Sequence, residues 1–113
     1  MNPALPPDVI EEAIMAFDAG NHAWGRYRHF VLSAAPRAQR VSTLEVREAL
    51  QEAAISVPDA RTGDIAPLRA AVRAVLLGLR AYVAALPEEI QRSELNEALE
   101  AFDEADQLLS GGA

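Results

Sequence analysis

The sequence predicts an all-α protein: a compact bundle of four to five antiparallel helices, with the helix over about 64–86 central. Three observations carry this expectation. Half of the residues are apolar but only 5% are aromatic, and alanine, the strongest helix former, supplies twenty-three of them. Apolar residues recur at i, i+3, i+4 and i+7 in successive segments and nowhere alternate with period two over a useful length. The 113 residues suit one domain, 1–113, which at this size hides roughly two thirds of its unfolded surface. Residues 1–7 read as an extended N-terminal segment and 110–113 as a flexible tail.

Pro3, Pro6 and Pro7 keep the start extended. The spacing of Ile10, Ala13, Ile14 and Phe17 predicts a first helix over about Asp8–Ala19, with Asp8, Glu11 and Glu12 favourably placed at its positive end. Gly20-Asn21 reads as its stop. A second helix follows over about His22–Ala35, with Trp24, Tyr27, Val31 and Ala34 on one face, and ends before Pro36. Pro36–Val41 reads as a short basic loop. Ser42-Thr43-Leu44-Glu45 has the form of a capping box. It opens a third helix over about Thr43–Ser56, with Val46, Leu50, Ala53, Ala54 and Val57 inward. Pro58–Gly63 reads as a loop. Asp64 is placed to cap the fourth helix, which tolerates Pro67 in its first turn. Its apolar face comprises Ile65, Leu68, Val72, Val75, Leu79, Val83 and Leu86. Leu86-Pro87 breaks it, and a fifth helix follows over about Glu88–Leu109, with Leu95, Leu99, Phe102 and Leu109 inward and Gly111-Gly112 as its end. A tight hairpin at Leu86–Glu88 would set Arg80 opposite Glu94, with Arg69 and Arg73 along the acidic side of the fifth helix.

The charge is concentrated at one end. From Glu88 to Asp106 there are eight acids and one arginine, which accounts for the whole net charge of -7; elsewhere nine acids balance nine arginines. That stretch predicts a solvated acidic wall, with Asp106 close enough to the apolar stripe to meet an arginine at the core edge. There is no cysteine, which excludes disulfides and thiolate metal sites, and no lysine, which excludes Schiff-base chemistry. The alanine and arginine bias reads as a bacterial composition. Met1–Pro7 lacks a basic and apolar leader, and Ile65–Leu86 carries Arg69, Arg73 and Arg80, so neither a signal peptide nor a membrane span is expected and the cytoplasm is the expected location.

Two segments are alike: Glu12-Ala13-Ile14-Met15-Ala16-Phe17-Asp18 and Glu97-Ala98-Leu99-Glu100-Ala101-Phe102-Asp103. Two amphipathic helices under the same demands explain this more simply than a repeat array. Ala16–Asn21, followed by a helix and Pro36, resembles a single tetratricopeptide hairpin. It lacks the motif's tryptophan, glycine and alanine positions and has no second hairpin, so no family is assigned on it.

One polar arrangement stands out. His22, Arg26, His29 and Ser33 fall on one helical face, opposite Trp24, Tyr27 and Val31, and no acid occurs between Asp18 and Glu45 while Arg26, Arg28, Arg37 and Arg40 do. His22, Arg26, His29, Arg37 and Arg40 are therefore the candidate binding residues, for an anionic group on a ligand or partner. The plainer reading is a solvated face whose arginines pair with acids of neighbouring helices. One metal ion cannot take both histidines, which lie two turns or about 10.5 Å apart, and no Glu-x-x-His pattern exists. No serine sits in a nucleophile motif, and the carboxylates of the fifth helix read as a solvated face. Neither catalytic residues nor a metal or cofactor is expected.

The function read from the sequence is a small acidic helical protein–protein interaction or adaptor module without catalytic activity. Its partner would be another protein, a second copy included, with neither nucleic acid nor membrane. The alternatives are a small-ligand or anion-binding helical sensor, and an antitoxin- or inhibitor-like acidic protein that occupies a basic site.

Overall fold

The computed structural model describes residues 5–87 and 93–111. The elements are α1 (Pro7–Phe30), a 3-10 turn (Leu32–Ala34), α2 (Pro36–Gln39), α3 (Leu44–Arg61), α4 (Ala66–Ala85) and α5 (Ser93–Leu109). Among the described residues there is no strand, and the all-α expectation holds.

The first correction is at Gly20-Asn21. No break occurs there, and the two expected helices are one, α1. Gly20 is buried, and a Cβ on it would lie 2.6 Å from Phe102 Cε1, so its bare backbone is what lets α5 approach. The glycine is a packing position inside a helix. With it goes the hairpin on which the tetratricopeptide resemblance rested. Pro7 is already helical, as a proline in a first turn can be, with Pro6 at the N-cap position. At the other end α1 stops at Phe30, short of the expected Ala35. Gln39 Nε2 donates to the carbonyls of Leu32 (2.9 Å) and Ser33 (3.2 Å), which ties the α2 turn to the end of α1. The basic loop expected at Pro36–Val41 is thus mostly this helical turn, and Ala34 is exposed.

The third helix is longer than expected and runs through Pro58 to Arg61. Ala60 is fully buried near its end, and Arg61 Nε donates to Glu11 Oε1 at 2.8 Å. These contacts hold the last turn in place although Pro58 has no N–H for the helical ladder. Gly63, at φ 107°, closes α3. Its N–H reaches the Ala60 carbonyl (3.0 Å) and the Asp64 N–H reaches Asp59 (3.0 Å), the Schellman pattern of helix ends. Two expected caps are absent. Ser42 Oγ accepts only from the Leu44 N–H at 3.2 Å, with Thr43 at the cap, and Ile65 occupies the cap of α4 without a side-chain bond. On α3, Ala54 is exposed, and Ala49, Ser56 and Ala60 are buried in addition to Val46 and Ala53.

Successive long helices run antiparallel. Glu11 meets Arg61 between α1 and α3, Gly78 faces Val46 between α4 and α3, and Arg73 and Arg80 meet Asp106 and Asp103 between α4 and α5. Between α5 and α1, Glu97 meets Arg26 while Phe102 covers Gly20. The result is an up-down-up-down bundle in which α1 packs chiefly on α5 and α3 on α4. α4 lies between α3 and α5 and brings Leu68, Val72, Val75, Leu76 and Leu79 to the core. α1 brings the aromatic group: Trp24 stacks on Tyr27, and Tyr82 of α4 stands edge-on to both. The Tyr27 and Tyr82 hydroxyls bond at 2.6 Å inside the core.

Counting from a tight hairpin gave the wrong register between α4 and α5. Arg80 is 3.6 Å from Asp103, nine positions beyond the expected Glu94. The start of this helix expected at Glu88 lies outside the described residues; within them α5 runs from Ser93. The expected edge contact of Asp106 is present, 3.4 Å from Arg73. The two similar segments meet across the bundle, with Phe17 and Phe102 6.0 Å apart. Just beyond each segment a small buried residue, Gly20 or Ala105, follows three positions after the phenylalanine.

Candidate functional site

Continuity of α1 extends the predicted stripe. Asp18, His22, Arg26 and His29 now share one side of a single helix, so the break expected between Asp18 and His22 is corrected here as well. They border an open hollow of about 660 Å³ that Gly25 also lines, where a Cβ would meet nothing within 4 Å. Phe30, 66% exposed, walls one end, with the His29 ring edge-on to it at 4.6 Å. The hollow is not a bare cationic surface. The Arg26 guanidinium is bonded to the Glu97 carboxylate of α5, and Asp18 supplies a second negative charge. Arg37 and Arg40 stand on α2 and at its end and do not line this hollow. The structure thus brings together His22, Arg26 and His29 from the expected set. It also supplies the neutralising acid of the plainer reading, from the fifth helix. Among the described residues no three His, Asp or Glu side chains converge as a metal site.

The more distinctive surface lies on the opposite pair, α3 and α4. Of the twenty residues of α4, the only charged ones are Arg69, Arg73 and Arg80. At 100° per residue all three fall on the side facing α5. There Arg73 and Arg80 are engaged by Asp106 and Asp103. The core side holds Leu68, Val72, Val75 and Leu79. What remains is the outward sector, and it is apolar throughout: Ala70, Ala74, Leu77, Ala81 and Ala85 are all exposed, Leu77 by 58%. Beside it a groove runs between the helices in two continuous hollows of about 490 and 220 Å³, which share Glu45 and Gly78. Ala49 and Ala74 line the larger and Val41 and Tyr82 the smaller.

Glu45 and Glu48 line the far bank of the groove and Glu52 continues their line along α3, one turn apart and all exposed. Among the described residues no ion pair reaches any of them. Leu44 and Ile55 lie just outside this acidic line, 53% and 70% exposed. Among the described residues three of the five exposed large apolar side chains, Leu44, Ile55 and Leu77, therefore sit on the α3–α4 face; Met15 and Phe30 are the others. The reading from sequence missed this face because it followed only the inward stripe of α4. The signal was available: three arginines on one line and a core stripe leave the third side of that helix with alanines and Leu77 alone.

Among the described residues no helix is long and apolar enough to cross a membrane. Comparison with protein-family models, with curated proteins and with solved structures finds no match to this chain.

Proposed function

We propose that this protein is a non-enzymatic interaction module that receives a partner protein on the outer face of α3 and α4. One observation carries the reading: α4 is apolar both toward the core and toward solvent, with Leu77 58% exposed at the middle of its outward stripe. A helix with apolar residues on opposing faces is suited to an interior position, and a contiguous exposed apolar patch marks an interaction site more often than idle surface. The acids of α5 support the same reading. Arg26, Arg73 and Arg80 engage three of the six acids between Glu94 and Asp106, so that helix is turned inward by its pairs. This weighs against the inhibitor-like alternative, which needs a continuous free acidic surface.

The test is a photo-crosslinking residue placed at position 77 in cells of the source organism, with position 12 on α1 as control. A discrete adduct at 77, absent at 12 and lost on Ala74→Arg, is the expected result. Adducts of the same size from both positions, or none from 77, would refute the docking face. The pairing of Arg26 with Glu97 weighs against the anion-binding reading of the hollow on α1. There an anion competes with Glu97 for Arg26, so phosphate titrated by calorimetry at a pH of about 6, just below the ordinary histidine value, is expected to give no heat of binding.

A further inference from the structure

We infer that the occupant of the α3–α4 groove is an amphipathic helix with a leucine- or alanine-rich seam and a basic edge, laid along α4 with that edge over α3. The inference rests on the docking reading above and adds the chemistry of the partner. The two banks of the groove differ in charge. On the α5 side Arg73 and Arg80 are already satisfied by Asp106 and Asp103. On the α3 side Glu45, Glu48 and Glu52 line up without an ion-pair partner among the described residues. A ligand over Leu77 therefore meets apolar surface beneath it, the two arginine–aspartate pairs on one edge with Arg69 beyond them, and unpaired carboxylates on the other.

The dimensions suit a helix. The stripe from Ala70 to Ala85 spans sixteen residues, or about 22 Å over its fifteen steps at 1.5 Å each, roughly four turns. Its side chains are small, which permits the close axial approach that helix packing favours. Leu77 is the single knob, and the hollow at Ala74 and Gly78 is the matching hole for a leucine of the visitor. Gly78 leaves that hollow open although its own fold does not require it: a Cβ there would sit at an ordinary 3.6 Å from Val46 Cγ2. An alanine would favour the helix, so room for a visitor is the reading that gives this glycine a use.

A second copy of the chain fits less well. A twofold that runs α4 antiparallel to its mate sets Glu45 and Glu48 against the same residues of the mate, and like charges face each other. The parallel arrangement brings those acids to Arg73 and Arg80, which are already engaged within the chain.

The test uses the full chain and two synthetic helical peptides with the same leucine–alanine seam, one with an arginine edge and its twin with a glutamate edge. Three proteins are compared: the natural chain, Glu45→Arg/Glu48→Arg/Glu52→Arg, and the charge-matched control Asp8→Arg/Glu100→Arg/Glu104→Arg. The arginine-edged peptide is expected to bind the natural chain and the control alike, and to shift the methyl resonances of Ala74 and Ala81. The α3 variant is expected to lose it and to accept the twin. Leu77→Asp is expected to weaken binding by roughly 10- to 100-fold, as loss of one buried leucine implies. Equal loss in both triple variants would mean that the peptide follows net charge alone, and would overturn the inference. Equal binding of both peptides at Ala74 would overturn the basic edge and leave the docking face standing. A concentration-dependent dimer abolished by Leu77→Asp would assign the groove to a second copy. No response of Ala74 or Ala81 to peptide or concentration would overturn both readings.

Discussion

Gly20 and Gly25 lie five residues apart in the same helix, and the structure predicts opposite outcomes for the same substitution. Alanine at either position gains the helix preference of alanine over glycine, roughly 1 kcal/mol. At Gly25 a Cβ would meet nothing within 4 Å, so Gly25→Ala should stabilise by about 0.5–1 kcal/mol. At Gly20 the new carbon would lie 2.6, 2.7 and 2.9 Å from three atoms of the Phe102 ring. That ring is fully buried and packs against Phe17, so it has no open direction in which to move. Overpacking of this kind costs about 1–3 kcal/mol. Since the helix gain is common to both variants, the difference between them isolates the clash. Gly20→Ala should lie about 1–3 kcal/mol below Gly25→Ala in urea melts with unchanged slopes. A companion change tests the cause: Phe102→Leu should make alanine at 20 less costly than in the natural background, a positive coupling between the two sites. If both glycines respond to alanine with the same gain, α5 does not cross α1 at Gly20, and the close approach described above is wrong.

The remaining predictions test the core, the buried tyrosines and the stripe on α1. Leu79, fully buried in the middle of α4, should lose about 2–5 kcal/mol as Leu79→Ala in denaturant melts, and a loss below about 1 kcal/mol would contradict its core position. Burial, and then the hydrogen bond with Tyr27, raise the Tyr82 phenol well above its ordinary value of 10.0. The unfolded chain therefore ionises first, and stability that is intact below pH 10 should fall as the pH rises beyond it. Tyr82→Phe should flatten that alkaline decline, and an unchanged slope would exclude Tyr82 as its source. Arg26 and Glu97 are both well exposed, so Arg26→Ala should change stability by no more than about 1 kcal/mol in the same melts, and a larger loss would show that the pair is structurally essential.

Much of this architecture was legible from the sequence, because burial follows periodicity. The inward stripe of α4 and the pairs Trp24–Tyr27 and Leu95–Phe102 are where spacing placed them. The failures share a cause: punctuation residues were read locally, and tertiary contacts decided them. Gly20 looks like a stop until Phe102 is laid across it. Pro58 looks like a break until Ala60 and Arg61 are anchored beyond it. Gly63, whose glycine does end a helix, has the positive φ that the other two positions lack. Ser42 and Asp64 have the right chemistry for caps, but the chain turns one residue later than the capping rule assumes. The candidate stripe was legible as a face and not as a charge balance. Glu97 is seventy-one residues from Arg26, a partner that no local pattern could name.

That charge balance bears on where function resides. By sequence the acidity belongs to the last helix, and a partner would be sought there. In the fold, arginines from α1 and α4 engage Glu97, Asp103 and Asp106. These pairs join α5 to the bundle, and exposed pairs of this kind add little stability, so their main effect is to fix register and neutralise charge. Glu45, Glu48 and Glu52 lie outside the acidic stretch, where charges sum to zero, yet among the described residues they stand without an ion pair along an apolar groove. A carboxylate beside apolar surface is where an added cation gains most, since the approach of a partner removes water that would otherwise screen the pair. The surface that invites a partner is thus set less by where the net charge lies than by which charges the fold leaves unpaired.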